Sequence, residues 1–355
     1  MRRIAGIPDL NVAVVGHFGF GKQLANGQTI KTKIVADELC RQFGEEQVLR
    51  IDTHGGIKSL LKAPIQVFGA LKRCKHTIIL PAQNGLRVLA PLLLLLNPLF
   101  CRKLHYVVIG GWLPDFLKTR KRLADILRRF DGIYVETNAM KAAMKAQNFA
   151  NVIVMPNCKQ LVILEKDGLT LPAAEPYPLC TFSRVSKEKG IAVAADAVKM
   201  VNEKRGRTVY TLDIYGQIDA DQTAWFDDLQ KHFPAYVRYR GVAPFDKSTE
   251  VLKKYSLLLF PTYYAGEGFA GTLLDAFGAG VPVIASDWKY NAEIVEDGVC
   301  GLIFPVNDIN VLAEKLMWCE LHPDEVLRMK KACIDYAQCF LPQNAMKPLL
   351  AQLKV

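Results

Sequence analysis

No apolar run in the chain reaches the ~18–20 residues that a membrane-spanning helix requires. The nearest approach, VLAPLLLLLNPLF (88–100), is interrupted by Pro91, Asn97 and Pro98. It reads as a buried core helix or as a helix whose end touches a bilayer surface, and the basic RKLH and KTRKR stretches that follow keep the second reading open. A secretory leader is also lacking, because MRRIAGIPDLNVAVVG has no long apolar region ahead of a small-residue cleavage site. The nine cysteines are odd in number and include no C-x-x-C pair. That argues against a disulfide frame or a zinc site and for buried thiols in a reducing compartment. Aromatic residues do not interleave with the Lys/Arg runs, as a groove for single-stranded nucleic acid would need. These absences point to a cytoplasmic protein, peripheral at most at the inner face of a membrane, with no nucleic-acid partner.

What is present is an ordinary globular balance, 50% hydrophobic and 23% charged, over 355 residues, enough for two domains with separate cores. The net charge of +10 is unevenly held. Residues 1–170 carry 25 Lys/Arg against 12 Asp/Glu, whereas residues 171–355 carry 20 against 23. A basic first half suits a surface that meets anions such as phosphates or lipid head groups.

Short apolar runs alternate with amphipathic ones. Strands are predicted at 10–15, 47–52, 77–80, 104–110, 132–136 and 151–155, with helical stretches such as TIKTKIVADELCRQF and DFLKTRKRLADILRRF between them. Apolar strands separated by helices indicate a parallel sheet covered on both faces. The pattern breaks at LEKDGLTLPAAEPYP (164–178), a linker by composition. It then restarts with strands at 179–183, 209–216, 236–241, 257–260 and 281–286 and helices near 188–204, 220–232, 246–255, 271–279 and 309–321. The reading is α/β, two doubly wound domains in series, with ligands outside the carboxyl ends of the strands.

The densest stretch is LLLFPTYYAGEGFAGTLLDAFGAGVPVIASDWKYNAEIVEDGVCGLIFP (257–305). After its first strand a loop carries Glu267, Gly268, Phe269, Ala270 and Gly271, and a helix runs from about Thr272 to Ala279. Glycines before a helix N-terminus let backbone N–H groups approach an anion. Glu267 and Asp275 flank that position, and carboxylates accept hydrogen bonds from sugar hydroxyls. This stretch resembles the E-x7-E region of family 4 retaining glycosyltransferases, the bacterial polysaccharide-biosynthesis type, and SRVSKEKGIAVAADAV (183–198) resembles that family's diphosphate-gripping strand–loop–helix.

The resemblance covers most of 179–320 in motif and the first half only in layout. It implies the GT-B fold, two Rossmann-like domains facing each other across a cleft. Residues 1–168 would form the acceptor-side domain, 169–340 the nucleotide-sugar domain, and 341–355 a C-terminal helix packing back on the first. It implies that Glu267 lies near the donor sugar, that Asp275 holds the ribose hydroxyls, and that Arg184 and Lys189 grip the diphosphate together with the Gly268–Thr272 backbone. Asp275 stands where Glu is usual, and Ala270 where Gly is more common. Gly216, at the end of its strand, and Gly27, at a helix start, complete the donor set. Neither a catalytic metal nor another cofactor is implied.

One further motif competes for attention. In VVGHFGFGKQLANGQTIKTK (14–33), Gly16, Gly21 and Lys22 match a P-loop, with Gln23 in place of Ser or Thr. Asn26-Gly27 would interrupt the helix that a P-loop requires, and Gln23 cannot replace a small hydroxyl on Mg²⁺. The loop therefore reads as the glycine-rich loop after the first GT-B strand, with Gly27 closest to the donor. Lys22 is either a cleft charge or a solvated one. On the acceptor side the candidates are His17, Gly111, Trp112 and Asp115, with Gly110 and His54 beside them. The expected activity is retaining transfer of a hexose from a nucleoside diphosphate sugar, UDP-linked, to a glycan or lipid-linked acceptor. The alternatives are a sugar-nucleotide 2-epimerase on the same fold and a non-catalytic basic protein of membrane surfaces or nucleic acid.

Overall fold

The computed structural model describes residues 10–21, 27–55 and 57–354. The chain divides into two compact units, Met1–Gln160 with Pro342–Val355, and Leu161–Leu341. In the first unit the order is β1 (Leu10–Gly16), α1 (Gly27–Phe43), β2 (Val48–Asp52), α2 (Ile57–Arg73), β3 (Cys74–Leu80), α3 (Gln83–Leu96), β4 (Lys103–Val107), α4 (Leu113–Lys118), α5 (Lys121–Leu127), β5 (Gly132–Val135), α6 (Asn138–Lys145) and β6 (Val152–Val154). The six strands form one parallel sheet in the order β2-β1-β3-β4-β5-β6. Val12, Ala13 and Val14 in β1 and Ile78, Ile79 and Leu80 in β3 are all buried, as strands covered on both faces must be.

The second unit contains β7 (Tyr177–Phe182), α7 (Ile191–Arg205), β8 (Tyr210–Tyr215), α8 (Thr223–Lys231), β9 (Val237–Gly241), α9 (Ser248–Leu252), β10 (Leu257–Phe260), α10 (Gly271–Gly278), β11 (Val283–Ser286), α11 (Asn291–Ile294), β12 (Gly301–Phe304), α12 (Ile309–Leu321) and α13 (Pro323–Gln338). Its sheet is also parallel, in the order β12-β11-β10-β7-β8-β9. Neighbouring residues of β7 feed opposite cores. Leu179 packs with the α7 and α12 side, and Cys180 with the α10 and α13 side, the period-2 alternation of a strand. In each sheet the strand order reverses beside one strand: between β1 and β3 in the first unit, and between β7 and β10 in the second.

Several sequence expectations are adjusted. The first unit ends at Gln160 and not at 168, because Leu161 and Ile163 pack against the second unit's core and Leu164 donates to the Gly278 carbonyl. DFLKTRKRLADILRRF is two short helices, α4 and α5, with Arg120 non-helical between them. The apolar 88–100 stretch lies mostly in α3, which buries Leu86, Leu89, Ala90 and Leu93 and leaves Leu95 73% exposed. GLIF, assigned to no numbered strand from sequence, is β12 and pairs with β11. The chain's end forms α14 (Pro342–Ala345) and α15 (Lys347–Leu353), and Leu349, Leu350 and Leu353 join the first unit's core beside Val12, Val35 and Val48.

Candidate active site

In a doubly wound sheet the crevice for a ligand opens at the carboxyl ends of the strands where the order reverses. In the second unit that point is the β7/β10 boundary, and the loops leaving those two strands carry Arg184, Lys189 and Glu267. Lys189 and Glu267 meet there: Lys189 Nζ donates to Glu267 Oε2 at 2.6 Å, with both side chains more than nine-tenths buried. Thr262 Oγ1 donates to the same oxygen at 2.7 Å. Glu267 Oε1 has no hydrogen-bond partner among the described residues, so it keeps its capacity as an acceptor.

The loop that holds these groups is itself tied down. Ser286, at the end of β11, donates through Oγ to the Thr262 carbonyl at 2.5 Å, and Trp288 donates through Nε1 to the Tyr264 carbonyl at 2.7 Å. Lys189 lies 5.0 Å from the Tyr264 ring centroid and Arg184 5.5 Å from the same ring, so one aromatic face lies beside both cations. Arg184 pairs with Asp219 at 3.0 Å and is half exposed. Gly190, at φ +70°, brings its backbone so close to Pro261 that a Cβ would lie 2.1 Å from the Pro261 carbonyl oxygen. Gly216, at φ +143°, has an equally steric reason: its Cβ would fall 1.6 Å from the Ser183 carbonyl oxygen, against the backbone that carries Arg184.

The rest of the expected donor set has mixed placement. Gly268 is buried, and Phe269 turns its ring into the core against Phe340, 5.2 Å away, which leaves only its backbone for a ligand. Ala270 stands at the N-cap of α10, where no side chain caps the helix. The first N–H groups of α10, from Gly271 onward, therefore depend on other acceptors. Thr272 follows with a buried hydroxyl that makes no hydrogen bond among the described residues. Asp275 is buried within α10. Gly27 belongs to the first unit, where it opens α1 with nothing within 4 Å of where a Cβ would stand. Lys22, Gln23 and Asn26 lie outside the described residues.

The first unit has its own cavity at its own switch point. A space of about 510 Å³ at the carboxyl ends of β1, β2 and β3 is lined by Val15, His17, Thr53, Pro81 and Trp112 and by the amides of Gln28, Gln66, Gln83 and Asn84. His17 bonds through Nδ1 to Thr29 Oγ1 at 2.7 Å and through Nε2 to His54 Nδ1 at 2.8 Å. Burial, and then the neighbouring His54, hold the His17 imidazole below its usual range, so it is neutral near pH 7. Asp52 clamps the loop by accepting the backbone N–H groups of Phe18, Phe20 and His54. Those bonds hold its carboxyl below the usual range even though burial works the other way.

Of the other acceptor-side candidates, Trp112 shapes the cavity and anchors its indole on the Ile109 carbonyl. Gly111 is buried in the turn before it and does not line the space, while Gly110 takes φ +82°. Asp115 is exposed and pairs with Lys118 at 2.7 Å, and it does not line this cavity. A pair that sequence reasoning did not single out is Lys31–Glu136, buried between α1 and the end of β5, where Lys31 also donates to the Val108 carbonyl at 3.2 Å.

The stretch that carries this geometry lies within a match to a known family. Residues 177–319 match the family described as glycosyl transferases group 1. The amylovoran biosynthesis glycosyltransferase AmsK of Erwinia amylovora is 29% identical over 161 residues, 43% of this chain and 39% of that protein. The GtfA subunit of a UDP-N-acetylglucosamine–peptide N-acetylglucosaminyltransferase from Streptococcus gordonii is 29% identical over 191 residues, 52% of this chain and 35% of that protein. The chain thus spans less than half the length of these two curated relatives. Among solved structures, Anabaena Alr3699/HepE in complex with UDP and glucose matches with a TM-score of 0.72 at 16% identity, covering 97% of this chain and 99% of that one. Sucrose-phosphate synthase from Thermosynechococcus elongatus matches with a TM-score of 0.74 at 16% identity, covering 97% and 98%. The two-domain α/β fold is therefore the GT-B fold expected from the sequence.

Proposed function

We propose that the protein is a glycosyltransferase that moves a hexose, with retention, from a nucleoside diphosphate sugar, UDP-linked, to a glycan or lipid-linked acceptor. The observation that carries this reading is the buried Lys189–Glu267–Thr262 cluster at the switch point of the second sheet, within the stretch that matches group 1 glycosyltransferases. The free Oε1 of Glu267 accepts a hydroxyl of the donor sugar. The uncapped start of α10 and the cations Lys189 and Arg184 receive the diphosphate, in place of a divalent metal. Asp275 takes the ribose hydroxyls. In the transfer step the bond from the anomeric carbon to the diphosphate oxygen breaks and a bond to the acceptor oxygen forms. The acceptor's proton leaves with the diphosphate, so no protein base is assigned.

The amide- and Trp-lined cavity of the first unit supports a sugar-bearing acceptor, since amides satisfy hydroxyls and an indole face covers a sugar's C–H surface. The basic first unit suits work at an anionic membrane surface, as a peripheral protein. No helix among the described residues is long and apolar enough to cross a membrane. The test is calorimetric titration with UDP and UDP-sugars, followed by a transfer assay against oligosaccharide and lipid-linked acceptors with and without EDTA. Binding of UDP with metal-independent transfer is expected; absence of any UDP binding would overturn the reading.

A further inference from the structure

Away from the strand ends, the first unit carries a second concavity that the transferase reading does not use. It has a volume of about 690 Å³ and lies between α3 and the segment from α4 to α5. Five of its lining residues are cationic: Arg87, Lys118, Arg120, Lys121 and Arg122, with Pro91 in its wall. The nearby acids are already committed, Asp115 to Lys118 at 2.7 Å and Asp125 to Arg128 at 2.5 Å. Arg120 is held in place by stacking 3.9 Å over the Phe116 ring and donating to the Phe116 carbonyl. Arg87, Lys121 and Arg122 are exposed and form no ion pair among the described residues. Like charges gathered without counter-charges repel one another, and an anion in the groove would relieve that repulsion.

The groove also has an apolar continuation. Arg87, Pro91 and Leu95 follow one another at i, i+4 and i+8 on α3, so they share one face of the helix. Leu95 is 73% exposed, and Val88 on the same outer side is 37% exposed. A free phosphate needs only the cations. A lipid surface engages the leucine as well, since interfacial binding combines buried apolar area with attraction to anionic head groups.

We propose that this groove docks the head groups of anionic phospholipids, with Leu95 entering the interfacial layer. The proposal rests on the membrane-surface part of the function proposed above and names the site that performs it. It is independent of the donor chemistry in the second unit.

The experiment is co-sedimentation with vesicles of phosphatidylglycerol mixed with phosphatidylcholine, against vesicles of phosphatidylcholine alone. It compares the wild type with the combined variant Arg87→Gln, Lys121→Gln, Arg122→Gln and with Leu95→Asp. At roughly a fivefold contribution per basic residue near the surface, the combined variant should partition about a hundredfold more weakly. Leu95→Asp should also weaken binding, while melting temperature and UDP affinity stay at wild-type values in both. A combined variant that binds like the wild type would overturn the groove but leave membrane association standing. A wild type that ignores both vesicles would overturn both. Two other results also count against a lipid site: binding displaced by inorganic phosphate and insensitive to Leu95→Asp, which marks a free-anion site, and retention of duplex DNA through the same three cations, which marks a nucleic-acid surface.

Discussion

Replacing Lys189 by Met would test the candidate site through stability as well as rate. The Lys189 and Glu267 side chains are 9% and 8% exposed and share one short hydrogen bond. Removing the ammonium leaves a buried carboxylate whose remaining donor is Thr262, at 2.7 Å. Breaking one side of a buried pair typically costs about 3–5 kcal/mol, because an uncompensated charge stays behind. At roughly 2–4 °C per kcal/mol for a unit of this size, the melting temperature should fall by about 10 °C. Glu267→Gln should cost a comparable amount, since the buried ammonium would then lose its counter-charge and keep a neutral amide and the Tyr264 and Phe260 rings, 5.0 and 5.8 Å from their centroids. The double variant Lys189→Met/Glu267→Gln should recover most of the loss, giving a coupling of a few kcal/mol in the cycle. Arg184→Ala is the control: its pair with Asp219 is 53% and 24% exposed, and such a pair contributes at most about 1 kcal/mol. Transfer assays should show the opposite lack of contrast, with Arg184→Ala and Lys189→Ala each lowering kcat/KM by about 100-fold or more. Differential scanning calorimetry on the wild type and these four variants decides the stability argument. A Lys189→Met protein that melts with the wild type would refute it, and near-normal kinetics in both alanine variants would sink the diphosphate assignment.

The two carboxylates should separate in binding and rate. Asp275→Asn should raise the dissociation constants of UDP and UDP-sugar by a similar factor, whereas Glu267→Gln should keep UDP affinity and lose kcat, as calorimetry beside steady-state assays would show. The reverse pattern would mean that the roles are exchanged. If the loop after β1 is no P-loop, the wild type should show no Mg²⁺-dependent ATP hydrolysis and Lys22→Ala should fold normally; ATPase activity that vanishes with Lys22 would contradict this. His105, buried between His76 and Tyr134, is pushed down to about 4 from 6.5 by burial and then by His76, so between those values the unfolded chain binds the extra proton. Stability should therefore be full above 6.5 and fall by about 3 kcal/mol as pH drops toward 4. His105→Gln should flatten that acid limb in thermal melts, and equal slopes for the two proteins would disprove the assignment.

How legible all this is from sequence depends on how local the determinant is. The second unit's site reads clearly because its parts lie in two short segments, each a strand, a loop and a helix start. Holding an anion at a helix start calls for glycines and charges at fixed offsets, and Arg184, Lys189 and Glu267 follow the two strands that flank the switch point. What the pattern conceals is that Lys189 and Glu267, 78 residues apart in the chain, face each other. A spacing rule treats each as an independent ligand, and the parallel sheet makes them partners. The same non-locality hides Lys31–Glu136, whose members are 105 residues apart in a helix and at a strand end, and would otherwise read as solvated charges. It hides the first unit's cavity too, whose amides come from α1, α2 and the start of α3 and carry no motif. Boundaries fail for a related reason. Pro and Gly mark where a linker bends, but Leu161 and Ile163 join the second unit through the core they pack against, and composition at 164–178 is silent on that. The α3 stretch shows the principle at one helix. Its apolar count alone leaves core and bilayer readings open, and the structure separates two faces: Leu86, Leu89 and Leu93 inward, Arg87 and Leu95 outward beside Lys121 and Arg122, which form no ion pair among the described residues. Which residues face inward and which outward is what the sequence, read as a single hydropathy value, could not separate.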